Sequence, residues 1–266
     1  MRLPNIALGI FMPLMAIFML APVALVIVGS FSASEYIHFP PAALSIKHYV
    51  AALADERFVL AWQVSVVTAF ATAFIAVLIA LPAAVGLTRT DFPGRESVQA
   101  FLMSPLMIPH LVIGITLLHF YAALRMPATT AIIIAGHVVI TFPFALRLLM
   151  ASLAGIDRKL ELAAVSMGAS PIKAFREITL PNMRAGMMGA LAFAAIISFD
   201  DIGLSLFIAP PSRPTLPVAI FTYLDQNYDP MILAVSSFMI LVSAVTILIL
   251  DRLVGLSRIF MNTQAI

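Results

Sequence analysis

Residues 58–87 read FVLAWQVSVVTAFATAFIAVLIALPAAVGL, an unbroken stretch without a single Asp, Glu, Lys or Arg. A helix rises about 1.5 Å per residue and the hydrocarbon core of a bilayer is about 30 Å thick, so roughly twenty such residues already cross it. The stretch lacks the polar–apolar alternation of a barrel strand and is rich in Ala, Leu and Ile, so it reads as a membrane-spanning helix. Working outward, five more apolar runs of similar length lie at about 6–31, 98–124, 129–153, 185–208 and 231–254, joined by short polar connections. The sequence therefore predicts an all-α polytopic membrane protein with six transmembrane helices, a single transmembrane domain over residues 1–266.

Composition excludes the soluble alternatives. Hydrophobic residues make up 62% of the 266 and charged residues 11%, too few to cover the surface of a water-soluble domain, so the missing polar surface faces lipid. With no cysteine there is no disulfide, thiolate metal site or cysteine nucleophile. The formal charge of +2 does not point to nucleic acid, because the basic residues sit in the short connections between spans. Arg2 followed by an apolar run resembles a signal peptide, but the run exceeds the 7–15 residues of a signal core and no small-x-small site follows directly, so an uncleaved first helix is expected.

Counting Lys and Arg by connection orients the chain. Arg2, Arg89, Arg95, Arg147, Arg158, Lys159, Lys173, Arg176, Arg184, Arg252 and Arg258 fall on one side, and Lys47, Arg57, Arg125 and Arg213 on the other. The positive-inside rule then places both termini in the cytoplasm. The largest cytoplasmic segment, about 154–184, reads as helix, turn, helix. Asp157 is a candidate cap for the first helix, Gly168-Ala169-Ser170-Pro171 supplies the break, Ser170 caps the second helix with Pro171 in its first turn, and Pro181 ends it. The second helix sets Ile172, Phe175 and Ile178 near one face, a surface helix that offers contacts. On the opposite side, the proline-punctuated 210–217 followed by apolar 218–224 is too short to span and is expected to be re-entrant or interfacial.

The run Leu160-Glu161-Leu162-Ala163-Ala164-Val165-Ser166-Met167-Gly168-Ala169-Ser170, continued by Pro171, Phe175, Ile178, Leu180 and Pro181, resembles the cytoplasmic loop signature of bacterial ABC importer permeases. The resemblance is closest to the spermidine/putrescine-type subgroup, and extends to Ser45-Ile46-Lys47-His48-Tyr49, 105–114, Gly136-His137 with Pro143-Phe144, Ser198-Phe199-Asp200-Asp201 and Thr215-Leu216-Pro217. It implies the type I importer (MetI-like) fold and a coupling helix that docks on a cytoplasmic ATPase. It also implies two ATPase copies carrying ATP and Mg, a second permease that is usually a different chain, a periplasmic solute-binding protein and an inner-membrane location. No cofactor is implied in this chain. Two positions depart from the pattern: the family's glutamate aligns with Leu162, with Glu161 one residue early, and the position after Pro109, often acidic in polyamine permeases, is His110.

Within the spans, Asp200 and Asp201 stand out, because each carboxylate at a helix centre costs about 2.5–3.5 kcal/mol to insert. As neighbours on one helix they project roughly 100° apart and are expected to do different jobs, one facing a translocation cavity and an amine, the other bonding a neighbouring helix. Ser198 and His110 join them as candidate pathway residues, with Glu161, Ala163, Ala164, Gly168, Ala169, Ser170, Pro171, Phe175 and Pro181 as the coupling set. His110, His119 and His137 have no spacing that suits a metal, and each reads as an interhelical hydrogen-bonder. Trp62, Tyr36 and Tyr223 are candidate interface anchors. A phosphate-binding Gly-x-x-x-x-Gly-Lys-Ser/Thr loop, His-Glu-x-x-His and Gly-x-Ser-x-Gly are all missing, so ATP hydrolysis would belong to a partner. The expected function is alternating-access import of a small organic solute, a polyamine first, with an opine, amino-acid derivative or aminophosphonate as the second choice. An ion-coupled secondary transporter and an intramembrane hydrolase are the competing classes; six spans without internal repeats argue against the former.

Overall fold

A computed structural model describes residues 3–254, and the side chains of residues 9–249 and 252. Arg2 and Arg258, two of the residues that orient the chain, lie outside the described residues. The described chain is helical apart from its connections: α1 (Leu3–Ser30), α2 (Lys47–Ala54), α3 (Glu56–Arg89), α4 (Arg95–Met103), α5 (His110–Ala123), α6 (Thr130–Ala154), α7 (Arg158–Ser166), α8 (Pro171–Ala174), α9 (Leu180–Asn182), α10 (Arg184–Asp200), α11 (Ser205–Ile208), α12 (Leu216–Gln226) and α13 (Met231–Val254). Gly9–Ser30, α3, α6 and Met231–Ile249 are each long and apolar enough to cross a membrane alone. Six spans result if two bent pairs count as one span each: Arg95–Met107 with α5, bent by 100°, and Pro171–Asn182 with α10, bent by 67°.

Proline and aspartate break two runs that hydropathy alone makes continuous. In the 98–124 run, Pro105 starts a 3-10 turn over Ser104–Met107, and Pro109 forces Ile108 into an extended conformation (φ −103°, ψ 127°) before α5 begins. In the 185–208 run, α10 stops at Asp200 and Asp201 is extended (φ −72°, ψ 122°). The Asp201 carboxylate accepts from the backbone N–H groups of Leu204 and Ser205, both at 3.0 Å, so it starts the next turn instead of continuing the helix. The short apolar run after Pro217 forms α12, whose 11 residues reach only about 16 Å.

The chain divides into two compact units. The smaller comprises the chain up to Leu60 with Ala219–Val242. In it the Tyr49 hydroxyl is hydrogen-bonded to Ser30 Oγ (2.7 Å) and Ser237 Oγ (2.6 Å), a polar tie among α1, α2 and α13. Asp55 holds Arg57 through both carboxylate oxygens, and the Arg57 guanidinium lies 5.5 Å over the Tyr223 ring.

The larger unit is built on Ala61–Val218. Its core joins Ala76, Val77, Ala80, Ala84 and Leu87 of α3 to Ala145, Leu146, Leu149 and Leu153 of α6 and Ala190 of α10. Small side chains let these backbones approach, which is how helices gain packing energy without a hydrophobic drive between them. At Gly186 a Cβ would fall 2.3 Å from Ser152, so α10 and α6 touch there only because the residue is glycine.

The 154–184 segment follows its sequence closely at three of four boundaries. Asp157 caps α7 by accepting from Lys159 N (2.9 Å), and Ser170 caps α8 by accepting from Lys173 N (3.3 Å) with Pro171 in the first turn. The turn between them is a Schellman motif: Ala169 N donates to Ala164 O and Gly168 N to Val165 O, with Gly168 at φ +96°. The fourth boundary corrects the sequence reading, because Pro181 does not end the second helix. A π turn over Phe175–Thr179 widens the coil, Leu180 N bonds Phe175 O, and the chain continues through α9 past the missing proline N–H before bending into α10.

Candidate functional site

The two breaks meet. Gly203 lies against the start of α5, where a Cβ would stand 3.3 Å from His110 Cβ and Leu111 N. A Cβ on Gly114 would stand 3.0 Å from Leu204 Cα. This contact brings His110 Nδ1 to 2.8 Å from Asp201 Oδ1. A carboxylate only accepts, so the imidazole N–H donates.

Behind them, His137 on α6 is fully buried, with Nδ1 2.7 Å from Ser198 Oγ and Nε2 2.8 Å from Ser205 Oγ. Ser205 Oγ in turn lies 3.3 Å from Asp201 Oδ2, so its one proton can go to that oxygen or to His137 Nε2. Both arrangements close the network: the His137 ring proton sits on Nε2 when Ser205 donates to Asp201, and on Nδ1, toward Ser198, when Ser205 donates to the ring. The result is a connected chain of Ser198, His137, Ser205 and Asp201, met from the other side by His110. Ile113, Ile132, Ile140, Leu204 and Ile208 wall it off. In hydrocarbon an unpaired polar group costs several kcal/mol, and here every member has a partner.

The sequence-named pathway residues thus divide. Asp201, with a side chain 1% exposed, and Ser198 are buried in the network, and His110, 36% exposed, stands at its edge. Asp200 closes α10 with an exposed side chain that makes no hydrogen bond or ion pair among the described residues. The expected 100° projection of the two aspartates as neighbours on a helix does not hold, because only Asp200 is helical. Treating the histidines singly misses the convergence of His110 and His137 on one carboxylate. One signal is present in the sequence: Ser198, Asp201 and Ser205 fall at i, i+3 and i+7, a polar stripe of helical period. His119 is exposed and apart from the network. Trp62 meets the ring of Phe199 edge-on at 5.6 Å, beside the same break.

In the coupling set, Glu161 accepts a hydrogen bond from the Thr179 hydroxyl and lies 3.8 Å from an Arg89 nitrogen, joining α7 to the π turn and to the end of α3. The acid therefore faces inward, and Leu162, in the position of the family's glutamate, is 55% exposed. Ala163, Gly168, Ser170 and Pro171 are exposed, and Ala164, Ala169, Phe175 and Pro181 half-buried. Leu160, Leu162, Val165, Met167 and Ile172 leave apolar surface uncovered along the segment. Ile172 thus points outward, and Ala174 and Thr179 are the buried positions of the second helix.

Comparison with known proteins places this architecture. A permease from Salmonella typhimurium named for 2-aminoethylphosphonate transport is 28% identical over 92% of this chain and 91% of its own length. The putrescine permease PotI and the spermidine/putrescine permease PotC, both of Escherichia coli, are each 27% identical, over 84% and 90% of this chain and 82% and 90% of their own. Among solved structures, a bacterial ABC transporter that imports the acidic polysaccharide alginate superposes with a TM-score of 0.72 at 14% identity, covering 96% of both chains. The MetNI methionine ABC transporter superposes with a TM-score of 0.60 at 19% identity, covering 73% of this chain and 92% of that one. The fold is that of ABC importer permeases. Residues 76–257 match the family described as binding-protein-dependent transport system inner membrane component, and the chain belongs to that family: it is a multi-pass inner-membrane transport subunit and not a catalytic one.

Proposed function

We propose that the chain forms the translocation pathway for a small solute bearing a primary ammonium group, a polyamine first, and that Asp200 is the carboxylate that meets it. The observation that carries this reading is the difference between the two aspartates: Asp201 is fully occupied by hydrogen bonds, and Asp200 is exposed and unpaired among the described residues. An unpaired carboxylate in a membrane segment is a functional position by default. His110, bonded to the neighbouring Asp201, stands at the edge of the network, with Asp201 and Ser198 buried within it. A second reading, an aminophosphonate or related nitrogen-containing solute such as an opine or amino-acid derivative, is favoured by His110. Its imidazole occupies a position where an acid would suit a polycation, and the Salmonella relative is named for 2-aminoethylphosphonate.

The rest of the machine follows the same reading. The six spans act as a single transmembrane domain with both termini in the cytoplasm. The exposed apolar residues of the 160–172 segment meet an ATPase subunit, two copies of which supply ATP and Mg. A second, different permease chain completes the pore, and a periplasmic binding protein delivers the solute. Closure of the ATPases reaches the pathway through Glu161, which joins α7 to Thr179 and neighbours Arg89.

The test is solute-stimulated ATP hydrolysis and uptake by the reconstituted importer with its binding protein, across putrescine, spermidine, 2-aminoethylphosphonate and amino acids. A charge-assisted hydrogen bond is worth about 1.5–3 kcal/mol, so Asp200→Asn lowers uptake of the ammonium solute roughly ten- to hundredfold. Equal uptake by Asp200→Asn and wild type removes Asp200 from the pathway; stimulation by a solute without an amine overturns the substrate class.

A further inference from the structure

A cavity of about 470 Å³ opens at the end of the larger unit where α3 and α6 both finish, away from the aspartate–histidine network. Its polar wall is Arg89, Arg95, Arg158 and Gln99, and its apolar wall includes Met150 and Leu153. Arg89 is the last residue of α3, and Arg95 and Arg158 are the first residues of α4 and α7. The first residues of two helices therefore line the same space; α7 is capped by Asp157, and α4 has no side-chain cap.

Three carboxylates offset the charge of the three guanidinium groups, but they leave guanidinium N–H groups without an acceptor. Asp157 lines the cavity, but its carboxylate is committed to capping α7 at Lys159 N. Asp91 pairs with Arg95 from a side chain 97% exposed, a contact worth little against solvent. Glu161 is 3.8 Å from Arg89, beyond hydrogen-bonding distance, and already accepts from Thr179. Arg158 has no ion pair among the described residues. Arg89 is 14% exposed; one of its terminal nitrogens reaches Ile156 O at 3.4 Å, and its Nε is buried without a partner. The accessible N–H groups of Arg95 and Arg158 are thus the donors open to an anion in the cavity.

From this we infer a binding site for a phosphate-bearing anion, and the half-apolar wall assigns it to the headgroup of an anionic phospholipid. The position fits. The cavity lies where two spanning helices end, and basic pockets between spans at the membrane surface bind such headgroups. The phosphodiester would be held by Arg89, Arg95 and Arg158, with the acyl chains leaving past Met150 and Ala154. The ligand would then bridge the α3 end to the start of α7, so the lipid would stiffen the base of the 154–184 segment.

The experiment is native mass spectrometry of the full-length permease released from nanodiscs containing equal phosphatidylglycerol and phosphatidylcholine. The wild type is expected to retain phosphatidylglycerol several-fold over phosphatidylcholine. The double variant Arg95→Gln/Arg158→Gln, at positions outside the core, is expected to bring the ratio to one. Arg147→Gln, an exposed arginine of α6 outside the cavity, is the control for nonspecific charge and keeps the wild-type ratio. If inorganic phosphate displaces the retained lipid, the anion site stands and its natural occupant is soluble phosphate. A ratio of one in the wild type, or one unchanged in the double variant, overturns the proposal. No solute, ATPase or binding protein enters the measurement, so its outcome is independent of the transport reading.

Discussion

Replacing Asp201 by alanine strips the acceptor from two buried backbone N–H groups, those of Leu204 and Ser205, and leaves His110 Nδ1 and the Ser205 hydroxyl without their shared partner. A buried donor left unsatisfied costs about 1–3 kcal/mol, so the two amides alone predict a loss of about 2–6 kcal/mol. Asp201→Asn is far milder. Its amide oxygen can keep both backbone bonds, its NH₂ can face the unprotonated Nδ1 of a re-tautomerised His110, and the loss is about 1–2 kcal/mol from weaker, uncharged bonds. Asp200→Ala removes a side chain with no partner among the described residues and should stay within about 0.5 kcal/mol. The chain has one tryptophan, Trp62, packed edge-on against Phe199 beside the break, so thermal unfolding of the purified permease can be followed by its emission without a label. The expected order of midpoints is wild type and Asp200→Ala, then Asp201→Asn, then Asp201→Ala, the last lower by roughly 4 °C or more. A midpoint for Asp201→Ala within about 2 °C of wild type, or an Asp200→Ala protein as damaged as Asp201→Ala, would refute the division of labour between the two carboxylates.

Other outcomes follow from single contacts. Gly168→Ala forces a Cβ into φ +96° and should cost about 1–2 kcal/mol, with Gly168→Asn milder because Asn tolerates the left-handed region; solute-stimulated ATPase activity of the assembled importer should fall in that order. Gly114→Ala drives a methyl against backbone atoms of Leu204, whereas Gly136→Ala meets only the side-chain tips of Ile208, Leu204 and Leu117, so the first should lower the Trp62 midpoint more than the second. Burial and the hydrogen bond to Asp229 push the Tyr223 phenol from 10.0 up to about 12. A raised folded value favours the proton-bearing form. Its contribution to stability is therefore complete below about pH 10 and is lost as pH rises toward 12. Phenolate absorbance, differenced against Tyr223→Phe, should show this late titration, and Asp229→Asn should move it down; a wild-type titration at the ordinary value would dismiss the contact.

The spans are legible in the sequence because twenty apolar residues in a row can hardly fold in water, and a helix is the form that satisfies their backbone in lipid. Asp157, Ser170, Pro171 and Gly168 are legible because caps and left-handed turns depend on a few neighbouring residues. The breaks at 104–109 and 201–204 are not, since hydropathy registers Pro105, Pro109 and Gly203 as ordinary members of an apolar run while the backbone registers missing N–H groups and an intruding carboxylate. Pro181 misleads for the opposite reason: proline normally stops a helix, and the π turn before it supplies the room that lets this one pass. The inward face of Glu161 depends on Thr179 and Arg89, distant in sequence, and no local rule reaches that far.

The connected hydrogen-bond chain has a mechanical meaning. It ties α10 to α6 through Ser198 and His137, α6 to α11 through His137 and Ser205, and both to the start of α5 through Asp201 and His110. The start of α5 and the turn after Asp201 are consequently clamped as a single stiff block: a force that shears one kink drags the other with it, and release comes through several bonds at once or not at all.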